Sequence, residues 1–189
     1  IGSGINLWKA TGGTISDNLV ENSGHSGIQL NSSIGIDITD NRISNTAANG
    51  INVAESQDIT VIGNLISNAN TSNDADSAGL TLYGGSSNVV MMCNSVTGAG
   101  NNGFSTASAI TTPFSGIRVF DNAMTVSDSV SHNLMQGIDI GSNWYGGGVA
   151  TISGSNAMGA QVADPLAVTP IGSVICNTPD PDTANNPTA

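Results

Sequence analysis

Five aspartates, Asp17, Asp37, Asp40, Asp121 and Asp139, fall within regularly patterned segments of this 189-residue chain. Lys9, Arg42 and Arg118 are its cations, and His25 and His132 its imidazoles. Hydrolysis of a glycoside needs two carboxyls about 5 to 9.5 Å apart. Proton abstraction beside a carboxylate needs a base and a neutralising cation. The basic groups fall on different repeats or faces, and of these carboxyls only Asp139 is expected on the first strand of its repeat, which makes it a catalytic candidate. Asp17, Asp40 and Asp121 each precede an Asn and read as turn residues binding backbone N–H groups. Asn73-Asp74-Ala75-Asp76 lacks the Gly turn and distal Glu of a calcium loop, and Gly146-Gly147-Gly148 lacks the Lys-Ser/Thr continuation of a phosphate loop. No metal site and no cofactor is expected.

The elements that position these residues come from a repeat. Gly-apolar-polar-apolar recurs as Gly4-Ile5-Asn6-Leu7, Gly27-Ile28-Gln29-Leu30, Gly50-Ile51-Asn52-Val53, Gly79-Leu80-Thr81-Leu82 and Gly137-Ile138-Asp139-Ile140, with Gly103-Phe104 as a degraded copy. An Asn with an apolar residue two places on follows each: Asn18/Val20, Asn41/Ile43, Asn64/Ile66, Asn94/Val96, Asn122/Met124 and Asn156/Met158. Ile15, Ile38, Val61, Met91 and Val119 stand three places before the first five Asn, and Gly13, Ile36, Ile59, Val89 and Ile117 five places before.

Residues two apart share a face of a strand. Each unit therefore holds a strand after its Gly, another before its Asn and a third after it. Units this short bury a core only by stacking. The fold class expected is all-β, a parallel β-helix of about six coils and on the order of 29 Å long at about 4.8 Å per coil. The Asn residues are expected to form an internal ladder and to occupy left-handed backbone at the turn. Residues 1–160 form the solenoid and 161–189 a C-terminal tail, partly packed on it and linker-like at its end.

These repeats resemble the right-handed parallel β-helix, or pectin-lyase-like, superfamily over roughly residues 4–160. Asn143-Trp144-Tyr145-Gly146, followed by Asp164-Pro165-Leu166, is similar to the Asn-Trp-Trp-Gly segment that closes many such helices. The superfamily includes pectate and alginate lyases, galacturonases, uronan epimerases, phage tailspikes and surface adhesins. The resemblance implies a polysaccharide partner and an extracellular, cell-surface or virion-tail location. The Tyr-Gly-x-Asp-Pro-His signature of alginate epimerases is absent.

Charge and composition bound the partners further. A formal net charge of −11, with three cations against 14 acids, disfavours nucleic acid. No apolar stretch reaches the roughly 20 residues that span a bilayer, so membrane insertion is not expected. The chain enters its first repeat with no leader, as a mature product or a piece of a longer chain would.

The first strand points Asn6, Gln29, Asn52, Thr81, Ser105 and Asp139 outward, and beside them Trp8, Asn31, Ala54, Tyr83, Ala107 and Gly141. In the enzymes it resembles, this face carries the substrate groove. Asn6, Gln29, Asn31, Asn52 and Thr81, with Trp8 and Tyr83 as stacking platforms, are the expected ligand-binding residues. The leading expectation is a polysaccharide-recognising module, tailspike- or adhesin-like. The alternatives are a polysaccharide lyase, hydrolase or epimerase, and a structural filament or stalk subunit.

The second strand points Ser16, Thr39, Ile62, Met92 and Phe120 outward, with Val90 beside Met92. Three coils thus place large apolar side chains on an outer face, an arrangement soluble monomers seldom leave bare. Two covers are open: a neighbouring subunit in a homotrimer, or the chain's own tail, whose Val162, Leu166, Val168, Ile171 and Val174 could lie along the stripe. Cys93 adjoins Met92 and Cys176 ends that tail, so a Cys93–Cys176 disulfide would pin the second arrangement.

Overall fold

The computed structural model describes residues 2–74 and 77–100, and the segments 102–106, 117–120, 122–125, 128–131, 138–141, 144–145 and 152–153. Each coil contributes three strands. The first has β1 (Ile5–Trp8), β2 (Thr11–Ser16) and β3 (Leu19–Glu21), and the second β4 (Ile28–Asn31), β5 (Ile34–Thr39) and β6 (Arg42–Ser44). Then come β7 (Ile51–Ala54), β8 (Gln57–Ile62) and β9 (Leu65–Ser67), and β10 (Ala78–Tyr83), β11 (Ser87–Met92) and β12 (Ser95–Thr97). The fifth coil has β13 (Asn102–Thr106), β14 (Ile117–Phe120) and β15 (Ala123–Thr125). The sixth has β16 (Asp128–Ser131), β17 (Ile138–Gly141) and β18 (Trp144–Tyr145), and β19 (Ile152–Ser153) opens a further turn.

Strands of like position stack into three parallel sheets. Sheet 1 runs β1-β4-β7-β10-β13-β16-β19, sheet 2 runs β2-β5-β8-β11-β14-β17, and sheet 3 runs β3-β6-β9-β12-β15-β18. The six complete coils agree with the sequence expectation. Alternation sets the facing of each strand: Ile36, Ile38, Ile59, Val61, Val89 and Met91 point inward from sheet 2 and are at most 1% exposed. Each such side chain contributes about 1.5–3 kcal/mol of burial.

Glycine begins the first strand for a packing reason. A Cβ on Gly27 would overlap Ile43 Cγ2, and one on Gly50 would come within 2.5 Å of both Ile66 Cγ2 and the Gly79 carbonyl oxygen. The missing side chain is the space that the apolar residue of sheet 3 fills.

The expected Asn ladder is present at the corner between sheets 2 and 3. The Asn64 amide Nδ2 donates to Asn94 Oδ1 (2.9 Å), Ile38 O (2.9 Å) and Ile62 O (3.1 Å). Its Oδ1 accepts from the Asn41 backbone N–H at 3.0 Å and from Asn41 Nδ2 at 2.9 Å. The ladder steps from Asn18 through Asn41, Asn64 and Asn94 to Asn122. One detail differs from expectation. The left-handed residue is the one before the ladder Asn, with φ of 56° at Asp17, 56° at Asp40, 71° at Gly63 and 56° at Cys93. Aspartate suits that position because its short polar side chain tolerates left-handed backbone. Asp121 lies outside the described residues.

The structure adds two further columns. Ser33, Ser56 and Ser86 form a hydroxyl ladder between sheets 1 and 2, in which each Oγ accepts the backbone N–H one coil earlier: Ala10, Ser33 and Ser56 at 3.2, 3.1 and 3.3 Å. Beyond sheet 3, Asn22, Asn45 and Asn68 make a second Asn column on exposed left-handed backbone. There Asn45 Nδ2 donates to Asn22 Oδ1 at 3.3 Å and Asn68 Nδ2 to Asn45 Oδ1 at 3.2 Å.

The sixth coil corrects an expectation. Asp139 is not on sheet 1: β17 pairs with β14, setting Ile138 beside Ile117, Asp139 beside Arg118 and Gly141 beside Phe120 in sheet 2. The first strand of that coil is Asp128–Ser131, in register with β13. The misreading has a physical cause. A second strand alternates apolar and polar residues as a first strand does, and Gly137 completes the look of the repeat. Trp144 pairs with Ala123, so in sequence Asn143 precedes its strand as Asn122 does, the place expected for Asn156. Asn143, Asn156, Ala107, His132, the Gly146–Gly148 run and residues 154–189 lie outside the described residues.

Candidate functional site

The outer face of sheet 1 carries the two expected stripes in register. Asn6, Gln29, Asn52 and Thr81 align in one, and Trp8, Asn31, Ala54 and Tyr83 in the other. Their surroundings differ along the rod. On the first coil Asn6 is exposed and Trp8 is 73% exposed, with the Lys9 ammonium 5.2 Å from its ring centroid. That cation–π contact leaves much of the indole open.

Three coils on, the face is walled. The chain takes 30 residues from Asn64 to Asn94 where it took 23 from Asn41 to Asn64; register places one of the seven extra residues between Tyr83 and Ser87 and the other six between Ser67 and Leu80, in the loop at the corner between sheets 3 and 1. This loop stacks on the corner below: Asn70 N–H donates to Ala48 O, Thr71 N–H to Thr46 O and Ser72 N–H to Ala47 O. Ala47 and Ala48 in turn donate to Ser23 O and His25 O. Buried Asn70 braces the turn, its Nδ2 donating to Asp74 O at 2.8 Å and Ser77 O at 3.1 Å, and its Oδ1 accepting from Asp74 N–H at 2.8 Å.

Wall and sheet together enclose a cleft of about 410 Å³, lined among others by His25, Gln29, Asn31, Asn52, Asp74 and Tyr83. Gln29 is oriented by Ser3, whose Oγ donates to Oε1 at 2.8 Å. Its Nε2 reaches Asn31 Oδ1 at 3.4 Å, and Asn31 Nδ2 reaches Asn6 Oδ1 at 3.4 Å. His25 Nδ1 lies 3.2 Å from Ser26 Oγ. Asn52 is only 5% exposed, and its Oδ1 has no hydrogen-bond partner. A buried amide oxygen without a partner is costly, and rotation of the amide about its last bond would turn that oxygen to where the nitrogen now lies.

Gln29, Asn31, Asn52 and Tyr83 are thus brought together. Asn6 and Trp8 stand outside the cleft, and Trp8 is three strand spacings, about 14 Å, from Tyr83. Thr81 is withdrawn from the face: it is buried, and its hydroxyl donates to Asn49 Oδ1 at 2.5 Å. Ser105, next in register, is buried too. His25 lines the cleft from the lower corner, where its carbonyl accepts from Ala48 N–H, and Asp74 from the loop, which follows no repeat. A second concavity, of about 300 Å³, lies on the outer face of sheet 3 and is lined in part by Leu19, Arg42, Leu65 and Ser95.

The family described as right handed beta helix region matches residues 2–163. The chain belongs to the right-handed β-helix family. The match spans the three parallel sheets, including β17 and β19, and so covers every described strand. No curated protein and no solved structure matches the chain significantly. Membership in the β-helix family carries the architecture and the right-handed sense of the coil; it carries no substrate, since function resides in the site and not in the fold.

Proposed function

We propose that this β-helix is a polysaccharide-recognising module, tailspike- or adhesin-like, of an extracellular, cell-surface or virion location, and that the cleft on sheet 1 is its binding site. The observation that carries the reading is the Asn52 amide, nearly buried in the cleft with an unpaired oxygen, beside Gln29, Asn31 and Tyr83. Neutral amides offer both donors and acceptors to hydroxyl groups, and an aromatic ring offers a face for the apolar side of a sugar. The acidic surface favours a neutral glycan. Trp8, about 14 Å away along the same stripe, would engage a different residue of an extended chain, never the same ring.

A glycan array with the purified protein tests the proposal. Binding to at least one polysaccharide is expected, with Tyr83→Ala and Asn31→Ala each weakening affinity about tenfold, equivalent to about 1.4 kcal/mol, at nearly unchanged Tm. Unaltered binding by both variants would remove the cleft from consideration. His25 and Asp74 also line the cleft, and this favours the second reading, catalysis. New reducing ends or ultraviolet absorbance of unsaturated uronate, lost in His25→Gln, would replace recognition by cleavage.

A further inference from the structure

Sheet 2 points Ile62, Val90 and Met92 outward, each half-buried, with Phe120 next in register to Met92. Cys93, at the corner after Met92, is disulfide-bonded. The tail expected over that column, with Cys176, lies outside the described residues. Sheet 3 presents the more specific surface. Its outward residues form two columns in register, Leu19, Arg42, Leu65 and Ser95 in one and Glu21, Ser44, Ser67 and Thr97 in the other. Together they line the concavity of about 300 Å³, a size at the low end for small-molecule sites.

Two observations set its chemistry. Arg42 is exposed and is the only cation in the strands of sheet 3, and a guanidinium fork matches the two oxygens of a carboxylate. Two strand spacings along the same column, about 10 Å away, Ser95 is 4% exposed and its Oγ has no hydrogen-bond partner. The buried hydroxyls of Ser33, Ser56 and Ser86 each donate to a backbone carbonyl. That of Ser95 is left unspent on the outward side of its strand, where the concavity lies. An unpaired buried hydroxyl costs stability, so the position gains if a ligand supplies the missing partner. Half-buried Leu65 stands between the two polar groups. Glu21, at the lower end of the neighbouring column, repels a second negative charge.

We propose that this concavity binds a small amphipathic monocarboxylate. Its carboxylate pairs with Arg42, its apolar body lies on Leu65, and a hydroxyl at its far end, about 10 Å from the carboxylate, bonds Ser95 Oγ. The site is separate from the cleft on sheet 1 and opposite to it in preference, taking an anion where the cleft suits a neutral glycan.

Calorimetric titration with para-hydroxyphenylpropionate, which carries a carboxylate and a hydroxyl at the two ends of an aromatic body, tests the site. Saturable binding is expected, with the primary amide of the same acid binding about tenfold more weakly, as should the acid to Arg42→Gln, because each loses a charge-assisted hydrogen-bond pair. Ser95→Ala should bind the acid severalfold more weakly while its Tm holds or rises, since the substitution removes an unpaired buried hydroxyl. Phenylpropionate, which lacks the hydroxyl, should bind the wild type and Ser95→Ala alike. No binding of either acid at millimolar concentration, or equal binding of acid and amide, would overturn the proposal. So would a Ser95→Ala variant of lowered Tm that binds both acids as the wild type does, which would make Ser95 a packing residue.

Discussion

Over the first three coils two columns of asparagine climb this solenoid with the same 23-residue step, and they do different work. Asn18, Asn41 and Asn64 stand at the corner between sheets 2 and 3, with Asn41 and Asn64 fully buried. Asn22, Asn45 and Asn68 stand just past sheet 3, each exposed. Asn41 and Asn64 each meet three backbone groups, so the side chain stands in for missing solvent. In the exposed column the side-chain bonds are longer, 3.2–3.3 Å against 2.9 Å, and water competes for every one. What that column uses is the backbone: φ is 57° at Asn22, 53° at Asn45 and 50° at Asn68. The same residue at the same interval thus serves hydrogen bonding in one place and chain geometry in the other.

The sharpest way to break the comparison is charge. Asn64→Asp replaces a donor that faces Ile38 O, Ile62 O and Asn94 Oδ1 by an acceptor that carries charge. It should abolish cooperative folding at neutral pH, a loss of about 3–5 kcal/mol or more. Burial among acceptors raises this carboxyl above its unfolded value of about 3.9. The variant's stability is therefore retained below that value and lost as pH rises through the raised one. Thermal melts of the variant relative to the wild type should diverge as pH climbs, and parallel melts would sink the assignment. Asn45→Asp should move Tm by little at any pH.

Truncation gives the next largest effect. Asn64→Ala leaves at least the Asn41 N–H and the Ile38 carbonyl without partners, at about 1–3 kcal/mol each, so denaturant titration should show a loss of about 4 kcal/mol. Ser56→Ala orphans the buried Ser33 N–H and should cost about 2 kcal/mol by the same measurement. Asn45→Ala should cost about 1 kcal/mol, the penalty of alanine on left-handed backbone. Asn45→Gly should be neutral within about 0.5 kcal/mol, since glycine accepts that backbone freely. A large loss in Asn45→Gly would mean that the exposed column depends on its side-chain bonds after all.

The same contrast explains what the sequence reveals. Ile38, Val61 and Met91 announce themselves because burial on one face of a strand imposes a period of two, and the internal Asn ladder because it keeps phase with them. The outward stripes of Asn6 to Thr81 and Trp8 to Tyr83 follow from that register. What is hidden depends on contacts outside the period. Serine is so common here that Ser33, Ser56 and Ser86 do not stand out, although their hydroxyls cap consecutive backbones. Asn22, Asn45 and Asn68 look like the solvent-facing amides of any turn. Alternation alone sets Asp139 on sheet 1, because it is identical in first and second strands and only pairing distinguishes them. The burial of Thr81 and the assembly of the cleft depend on how residues 70–77 fold over the face, and a non-repeating loop leaves no periodic trace.

That loop has a consequence for how such a molecule can change. The coil that contains it is longer than its predecessor, yet Asn64 and Asn94 meet at 2.9 Å, as Asn41 and Asn64 do. Contour length at the corner between sheets 3 and 1 is therefore independent of the rise from one turn to the next. Residues can be added there without altering the pitch, and whatever they bring is displayed beside the cleft. The solenoid is in this sense a graft host with a designated docking corner: the sequence of its overhang can be rewritten by insertion or exchange while the ladders underneath go on reading the same frame.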